Sequence, residues 1–197
     1  MKPGNGKRRG RKLPQVLEEN DQARLLALLD DSEASSIRGR AILRVLISTG
    51  LRASELINLK ETDINLNTGR LWVRQGKGAK DRAVKFNHTC RLALEAWLAV
   101  KPRASSPLLF TSLDGRRALC SRWLRRWVAN LGKKLGLFFA LHPHTLRHCY
   151  ACRLLKKTNN LFWVSQALGH NSVATTQIYL HLHQPDLDEA MQNLDIP

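Results

Sequence analysis

The chain has 197 residues, of which 43% are hydrophobic, and this length fits one domain with short appendages. Its 32 Lys and Arg residues against 16 Asp and Glu give a formal net charge of +16. An excess of this size favours a polyanionic partner, either nucleic acid or an anionic membrane surface. No run of about 18 apolar residues occurs, which excludes a membrane-spanning helix.

The N-terminus and the cysteines indicate the cellular compartment. The first residues, MKPGNGKRRGRK, are basic and lack the apolar core of a signal peptide, so export is not expected. Four cysteines in a chain of this size do not form a disulfide scaffold, and they suit a reducing environment. We therefore expect a cytoplasmic protein.

The positive charge is concentrated in two regions. Residues 1–13 are basic and rich in glycine, and we expect them to form a flexible arm. Residues 101–157 contain thirteen Lys and Arg but a single acid, Asp114, interleaved with aromatic residues. This composition favours phosphate binding over a merely solvated surface. The chain after residue 157 contains four acids and no Lys or Arg.

The periodicity of apolar residues predicts a mainly α-helical fold with a small antiparallel β-hairpin. Two short runs, RLWVR and RAVKF, read as strands on either side of the turn-rich segment QGKGAKD. Gly50 is expected to end a helix in the left-handed conformation. The predicted helices are 21–29, 37–48, 53–59, 89–100, 121–135, 145–157, 161–168 and 173–181, and the predicted strands are 70–74 and 82–86.

The predicted helix 121–135 has two different faces. Leu124, Val128 and Leu131 recur at spacings of four and three, which places them towards the core. The two tryptophans of this helix are expected to pack rather than to stack on bases. The other face is expected to bind DNA through three arginines, which are Arg122, Arg125 and Arg126.

Five short motifs follow one another along the chain and contain six candidate functional residues. Each motif alone is weak, and GKGAK is not a Walker loop because its upstream glycine and trailing hydroxyl residue are missing. The motifs are TGLRASEL, GKGAKDR, HPHTLRH, LGHNS and TTQIY, and the candidates are Arg52, Lys77, His144, Arg147, His170 and Tyr179.

Together these residue types supply what phosphodiester transfer needs without a metal. Two arginines can hold the non-bridging oxygens of a phosphate, and two histidines can donate hydrogen bonds or move protons. A lysine on a hairpin can protonate a leaving oxygen, and a tyrosine can attack phosphorus. About one free tyrosine in a thousand is ionised at pH 7, and we expect the neighbouring cationic groups to favour the phenolate. No carboxylate cluster suited to Mg²⁺ accompanies the motifs.

The ordered set of motifs resembles the catalytic domain of tyrosine recombinases, the phage-integrase and Xer-type group, over residues 14–185. The resemblance implies the tyrosine-recombinase catalytic-domain fold, within domain bounds that we set at 14–184. It implies that Tyr179 attacks a DNA phosphate, giving a 3′-phosphotyrosyl link and a free 5′-hydroxyl, with Lys77 as general acid. The two arginines and two histidines would stabilise the phosphoryl centre, and no metal or other cofactor is implied.

The resemblance also implies the partners. These are double-stranded DNA and further copies of this chain, which would be monomeric off DNA and form a homotetramer on two DNA sites. An accessory protein is a further partner that the resemblance allows, and the action would take place at a bacterial nucleoid. Integration, excision, inversion and resolution share this chemistry, and the sequence does not distinguish them.

Three further residues have expected roles in addition to these six candidates. Glu55 resembles a family acid that steadies the first arginine, Arg52, while a plain surface charge remains the alternative. Lys80 and Arg82 on the hairpin are expected to contact backbone phosphates rather than take part in the chemistry.

The chain departs from many family members in its length. It resembles the short, stand-alone members that lack an N-terminal core-binding domain, which leaves open how it holds DNA. The tail, residues 185–197, carries a stripe of Leu187, Met191 and Leu194. This stripe predicts a helix that docks either on a neighbouring protomer or on the core of its own chain.

The same residues allow three other interpretations. His144, His148, Cys149 and Cys152 have spacings that superficially suit zinc, but adjacent helical residues point about 100° apart, so four ligands would not converge. A catalytically inactive or accessory DNA-binding protein is the second alternative. The third is a relaxing enzyme of the type IB topoisomerase kind, which uses similar chemistry without exchange of partners.

Overall fold

The protein is described here by a computed structural model that covers residues 15–74, 81–103, 106–170 and 173–182. Within these ranges the helices are α1 (Glu19–Ala27), α2 (Ala34–Thr49), α3 (Ala53–Ile57), α4 (His88–Val100), α5 (Ser121–Lys134), α6 (Pro143–Thr158) and α7 (Leu161–Leu168). The strands are β1 (Ile64–Asn65), β2 (Arg70–Val73) and β3 (Arg82–Lys85), and short 3₁₀ segments cover Glu61–Asp63, Val173–Thr175 and Gln177–Leu182. The predicted mainly helical class is confirmed.

Helix α2 is the central element of the main core. Its inner side is apolar, with Ile42, Leu43 and Leu46 completely buried, whereas Arg40 and Arg44 lie on its partly exposed side. It packs against α4 and α6. The helix ends at Gly50, whose φ of 63° is left-handed and whose N–H donates to Leu46 O at 3.0 Å, as predicted.

The sheet has three strands rather than the two of a hairpin. The order is β1-β2-β3 and both pairings are antiparallel, with Leu71 opposite Val84 in the predicted pair. The added strand β1 has only two residues, too few to give an alternating pattern in the sequence. Alternation along β2 buries Leu71 and Val73 against the helices, which fixes how the strands lie on the core.

Helix α5 has the two faces that its sequence predicts. Leu124 and Val128 are completely buried and Leu131 nearly so. Trp123 and Trp127 stack on each other, with ring centroids 5.7 Å apart, and both pack against the main core, so their expected packing role is confirmed.

A second, smaller apolar cluster joins the end of the described chain to α6 and α7. It contains Ala151, Leu155, Val164, Leu168 and Tyr179. The predicted helix at 173–181 is instead two 3₁₀ segments, in which Tyr179 N–H donates to Thr176 O three residues earlier. Four of the six residues from 173 to 178 are β-branched, which lowers α-helix propensity at this point.

Candidate active site

Arg52 and Arg82 are held together by one carboxylate. Glu55 accepts from Nη1 of Arg52 at 2.8 Å and from the backbone N–H of Arg52 at 2.8 Å. The same carboxylate accepts from both terminal nitrogens of Arg82, each at 2.9 Å. This geometry supports the expectation that Glu55 steadies Arg52, and it is unlike a solvated surface charge, because the Glu55 side chain is only 8% exposed.

The two arginines also set the ionisation of Glu55. Burial by itself would raise the pKa of this carboxyl, but the hydrogen bonds from Arg82 and the Arg52 backbone, together with both charges, lower the pKa to about 2. Glu55 is therefore ionised throughout the physiological range.

The placement of Arg82 corrects the expectation that it contacts a DNA phosphate. Its side chain is 11% exposed, its terminal nitrogens are bound to Glu55, and its Nε donates to Ala167 O at 3.2 Å. Because three of its five N–H groups are donated and its charge is paired with a carboxylate, the Arg82 guanidinium is a poor phosphate ligand. This pairing is not visible in the sequence, because Glu55 lies 27 residues before Arg82 in the chain.

Arg147 connects the ends of two helices beneath the site. Its Nη1 donates to Gly50 O at 2.6 Å and its Nη2 donates to Leu168 O at 2.7 Å, and the side chain is almost completely buried. Burial lowers the pKa of Arg147 to about 10, with a further contribution from the charge of Arg52, so the residue stays cationic at neutral pH. A guanidinium has five N–H donors, so the two carbonyls leave donors for a substrate oxygen.

Arg52 and Arg147 are brought to neighbouring positions by α7. Arg52 Nη2 donates to Gly169 O at 3.3 Å, one residue after the carbonyl that binds Arg147. Gly169 ends α7 in the left-handed conformation, with φ of 63°. The next residue, His170, therefore lies close to both arginines.

His170 and His144 lie in the field of these arginines. The Nδ1 of His170 is 2.8 Å from the hydroxyl of the buried Thr176. Burial first, and then the arginine charges, lower the pKa of His170 to about 4. The pKa of His144 is also lowered, by burial and then by Arg147 and Arg52. Both rings are therefore neutral at pH 7 in the absence of substrate.

Tyr179 is buried in the second apolar cluster, with 1% of its surface exposed. Its hydroxyl is 2.8 Å from Nδ1 of His148. Burial raises the pKa of the phenol to about 12, although the charge of Arg147 opposes this. The expectation that nearby cations favour the phenolate is therefore wrong for this state of the protein, because loss of solvation outweighs the attraction of Arg147.

His148 and Thr176 are polar residues of this site that are not among the six candidates from the motifs. His148 directly follows Arg147 in HTLRH, where its spacing suggests only the zinc alternative; Thr176 is the second threonine of TTQIY. A histidine at helical spacing from His144 was the available signal, and the two rings do stack, with centroids 6.2 Å apart. The sequence carried no sign of the bond to Tyr179, which lies 31 residues later.

The three arginines predicted on the DNA-facing side of α5 are exposed. Arg125 lines a cleft of about 570 Å³ together with Arg52, His142 and His144, whereas Arg122 and Arg126 lie outside this cleft. The cleft therefore continues from the candidate active site to the basic face of α5.

Several expectations fall on residues outside the described ranges. Lys77 and Lys80 belong to the segment 75–80, and the docking stripe belongs to the tail 185–197. The basic arm, residues 1–13, also lies outside.

The described part of the chain contains no group of three or more His, Cys, Asp or Glu residues that could hold a metal. The zinc candidates have separate partners: Cys149 Sγ accepts from Leu17 N–H at 3.2 Å, while His148 contacts Tyr179. Among the described residues, no helix is long and apolar enough to cross a membrane.

The helical fold and the cluster of arginines, histidines and a buried tyrosine agree with the resemblance carried by the motifs. A model of the phage integrase family matches residues 15–185, and the chain belongs to this family.

Proteins similar to this chain include Xer recombinases. Tyrosine recombinase XerC of Serratia marcescens is 36% identical over 177 residues, which are 89% of this chain and 57% of that protein. The crystal structure of XerA recombinase has a TM-score of 0.81 at 36% identity and covers 94% of this chain and 66% of that one. XerH site-specific recombinase, in a post-cleavage complex with its palindromic difH substrate, has a TM-score of 0.79 at 31% identity, covering 94% of this chain and 55% of that one.

Proposed function

We propose that this protein is a site-specific DNA recombinase that cleaves and rejoins double-stranded DNA through a 3′-phosphotyrosyl intermediate, with residues 14–184 as its catalytic domain. The observation that carries this proposal is the pair of carbonyls at the end of α7, which bind Arg147 and Arg52 and so gather both arginines beside His170. The contact of Tyr179 with His148, the residue that follows Arg147 on α6, brings the proposed nucleophile to the same site.

In this proposal the arginines bind the non-bridging oxygens of the scissile phosphate, because their remaining N–H donors and fixed charge suit a phosphoryl group in the transition state. His144 and His170 donate to the same oxygens from neutral rings. Tyr179 attacks phosphorus and releases the 5′-hydroxyl, and Lys77 protonates that leaving oxygen. Glu55 and Arg82 position Arg52. The bond energy stays in the phosphotyrosyl link, so rejoining needs no cofactor.

DNA is the partner that the charge distribution favours. The cleft from Arg52 to Arg125 is basic, and XerH was solved bound to its difH substrate. We infer that the duplex lies along this cleft and that Arg122, Arg126 and Lys80 contact its backbone. We also infer that the protein is monomeric off DNA and that four copies assemble on two duplexes. An accessory protein can supply further DNA contacts. The action would take place in the cytoplasm, on DNA of the nucleoid.

The experiment that tests this function exploits the fact that the chain has two tyrosines. The protein is incubated with nicked duplexes tiled across the DNA that flanks its coding sequence, then denatured, and protein-linked DNA is recovered. Tyr179→Phe should abolish covalent attachment and keep salt-sensitive binding, whereas Tyr150→Phe should retain attachment.

The outcomes separate the alternatives. Attachment that survives Tyr179→Phe contradicts the mechanism. DNA binding with no attachment by the wild-type protein indicates an accessory DNA-binding protein. Attachment followed by relaxation of supercoils, with no product of strand exchange, indicates an enzyme of the type IB topoisomerase kind.

We further propose that the tail 185–197 docks on a neighbouring copy. A groove of about 470 Å³ between α1, α2 and α6 combines apolar residues such as Leu26 and Ile47 with three arginines, which are Arg40, Arg44 and Arg153. The apolar stripe of the tail and its acids have the complementary character. Removal of residues 185–197 should therefore weaken assembly on DNA but leave binding of a single copy intact, as measured by mobility shift. Unchanged assembly would favour docking of the tail on its own chain.

A further inference from the structure

The bond between His148 and Tyr179 is the feature of the site that the proposed function leaves without a role. The two side chains come from different elements, α6 and the last 3₁₀ segment, and meet at 2.8 Å between Nδ1 and the phenol oxygen. Their rings are inclined at 56°, with centroids 5.5 Å apart, so the contact is a hydrogen bond directed at a ring nitrogen rather than a stack.

The direction of this bond follows from the ionisation of both partners. Burial lowers the pKa of His148 to about 4, with smaller contributions from the charges of His144 and Arg147, so its ring is neutral at pH 7. The phenol, with its raised pKa, is protonated. Because a free imidazole nitrogen is a stronger acceptor than a phenol oxygen, the Tyr179 hydroxyl donates to Nδ1 and the imidazole hydrogen lies on Nε2.

The other histidines of the site are differently engaged. His170 Nδ1 is paired with the Thr176 hydroxyl, and His144 stacks on the ring of His148. Within the described residues, His148 is therefore the ring whose nitrogen is already in contact with the proton that Tyr179 must lose.

We propose that His148 is the general base of this site: it takes the phenolic proton of Tyr179 as the tyrosine attacks DNA phosphorus. The inference rests on the proposed recombinase function. In the forward step the bond from Tyr179 Oη to phosphorus forms, the bond from phosphorus to the 5′-oxygen breaks, and the proton passes from Oη to Nδ1. The 5′-oxygen takes its proton from the general acid. In the rejoining step the 5′-oxygen forms its bond to phosphorus and gives its proton back to the deprotonated general acid. The bond from phosphorus to Tyr179 Oη breaks, and His148 returns its proton to Oη.

A base as weak as free His148 suffices for two reasons. As the bond to phosphorus forms, the phenol oxygen loses electron density and its proton becomes much more acidic, so transfer becomes favourable late in the step. A phosphate held by Arg147 also brings a negative charge that offsets the field of that arginine on the imidazole. Without bound phosphate, burial keeps the pKa of the His148 imidazole low, so the ring is unprotonated and able to accept a proton.

Several groups surround His148 and enter any pH dependence. On its own helix these are His144 and Arg147; His170 follows α7, and Tyr179 faces it from the 3₁₀ segment. Beyond Arg147 lie the charges of Arg52, Arg82 and Glu55. The pH dependence of the rate therefore contains contributions from three histidines. The test needs a measurement that responds to the loss of the Tyr179 proton alone.

The test uses Tyr150→Phe protein, in which Tyr179 is the one tyrosine, so biosynthetic incorporation of fluorotyrosines lowers the pKa of the nucleophile alone. His148→Asn is the matched variant, because an asparagine oxygen can accept the hydrogen bond near the Nδ1 position but cannot take up the proton. The rate of covalent attachment to nicked duplexes from the flanking DNA is measured at neutral pH for both proteins, each with tyrosine and with increasingly fluorinated tyrosine.

We expect His148→Asn to slow attachment by about 10²- to 10⁴-fold. Fluorination should restore the rate progressively, since a phenol that is already ionised needs no base. In the protein with His148 intact, fluorination should leave the rate equal or lower, because a less basic phenolate is a weaker nucleophile. This second series keeps the test decisive if His148→Asn does not fold.

Three results would overturn the proposal. Attachment by His148→Asn that is as fast as wild type, or faster, would show that the bond only restrains the tyrosine. If attachment by His148→Asn is slow and fluorination does not restore it, His148 positions the tyrosine and does not take its proton. Strong acceleration by fluorination with His148 present would show that the phenol ionises unaided. Failure of the proposed function is distinguishable, because then wild-type protein and every variant fail to attach to any duplex.

Discussion

The carboxylate of Glu55 receives both terminal nitrogens of Arg82, each at 2.9 Å, while it also accepts two hydrogen bonds from Arg52. One buried acid thus orients an arginine of the proposed phosphate site and neutralises another that stays behind it. Because Arg82 also donates to Ala167 O, this network attaches the sheet to α7. The site and the fold are stabilised here by the same contacts.

The first prediction concerns the pH dependence of stability. The pKa of Glu55 is about 2 in the folded state, against 4.5 for the unfolded carboxyl. Since the folded-state pKa is depressed, the stabilisation is fully present above about pH 4.5 and is lost as the pH falls towards 2. A shift of this size corresponds to roughly 3 kcal/mol. Urea unfolding of the wild-type protein should show this loss of free energy of unfolding at low pH. Glu55→Gln should already be less stable at pH 7 and should not show this pH-dependent loss.

The second prediction separates Arg82 from Arg125. Arg125→Ala should weaken binding to unrelated duplexes equally and reduce the salt slope by about one, because an exposed cation in the cleft contacts phosphate. Arg82→Ala should lower the free energy of unfolding, since it leaves Glu55 partly unpaired, and leave the salt slope unchanged. Titrations at several salt concentrations and a thermal melt of each variant measure both effects. An altered slope in Arg82→Ala would restore the phosphate contact expected from the sequence.

The third prediction concerns Arg147. Arg147→Ala should reduce covalent attachment by several orders of magnitude, because a buried cation at the reacting phosphate acts mainly in the transition state. It should also destabilise the fold, since Gly50 O and Leu168 O lose their donors. Arg147→Lys keeps the charge but not the two-pronged geometry, so it should recover part of the stability and little of the rate. Equal recovery of both would contradict a role in positioning phosphate.

The fourth prediction tests a close approach between the two apolar clusters. A Cβ added at Gly50 would lie 2.4 Å from Cδ1 of Tyr150, and the φ of 63° already disfavours any other residue. Gly50→Ala should therefore lower the free energy of unfolding by well over the roughly 1 kcal/mol that backbone strain alone would cost. Gly136→Ala is the matched control, because its φ is also positive, at 77°, but nothing lies within 4 Å of the added Cβ. Equal losses in chemical denaturation of the two variants would contradict a steric cost at Gly50.

Much of the fold was predictable because its signals are local. The apolar spacing of three and four residues placed α2 and α5, and the left-handed glycine ended α2 where the sequence indicated. The motifs likewise named Arg52, Arg147 and His170, which the structure brings around the end of α7. Where local signals were weak, the prediction differed from the structure, as in the two-residue strand β1 and the 3₁₀ segments that carry Tyr179.

The sequence by itself determined the helical periodicity, the basic surface and the chemical types present in the motifs, because each is a property of neighbouring residues. The tertiary structure alone decided which groups face one another. It paired Arg82 with Glu55 rather than with solvent, and it buried Tyr179 against His148, so that the phenol is protonated where the motifs suggested a phenolate. Both outcomes depend on packing between segments distant in the chain, which sets burial and hence the balance between desolvation and charge.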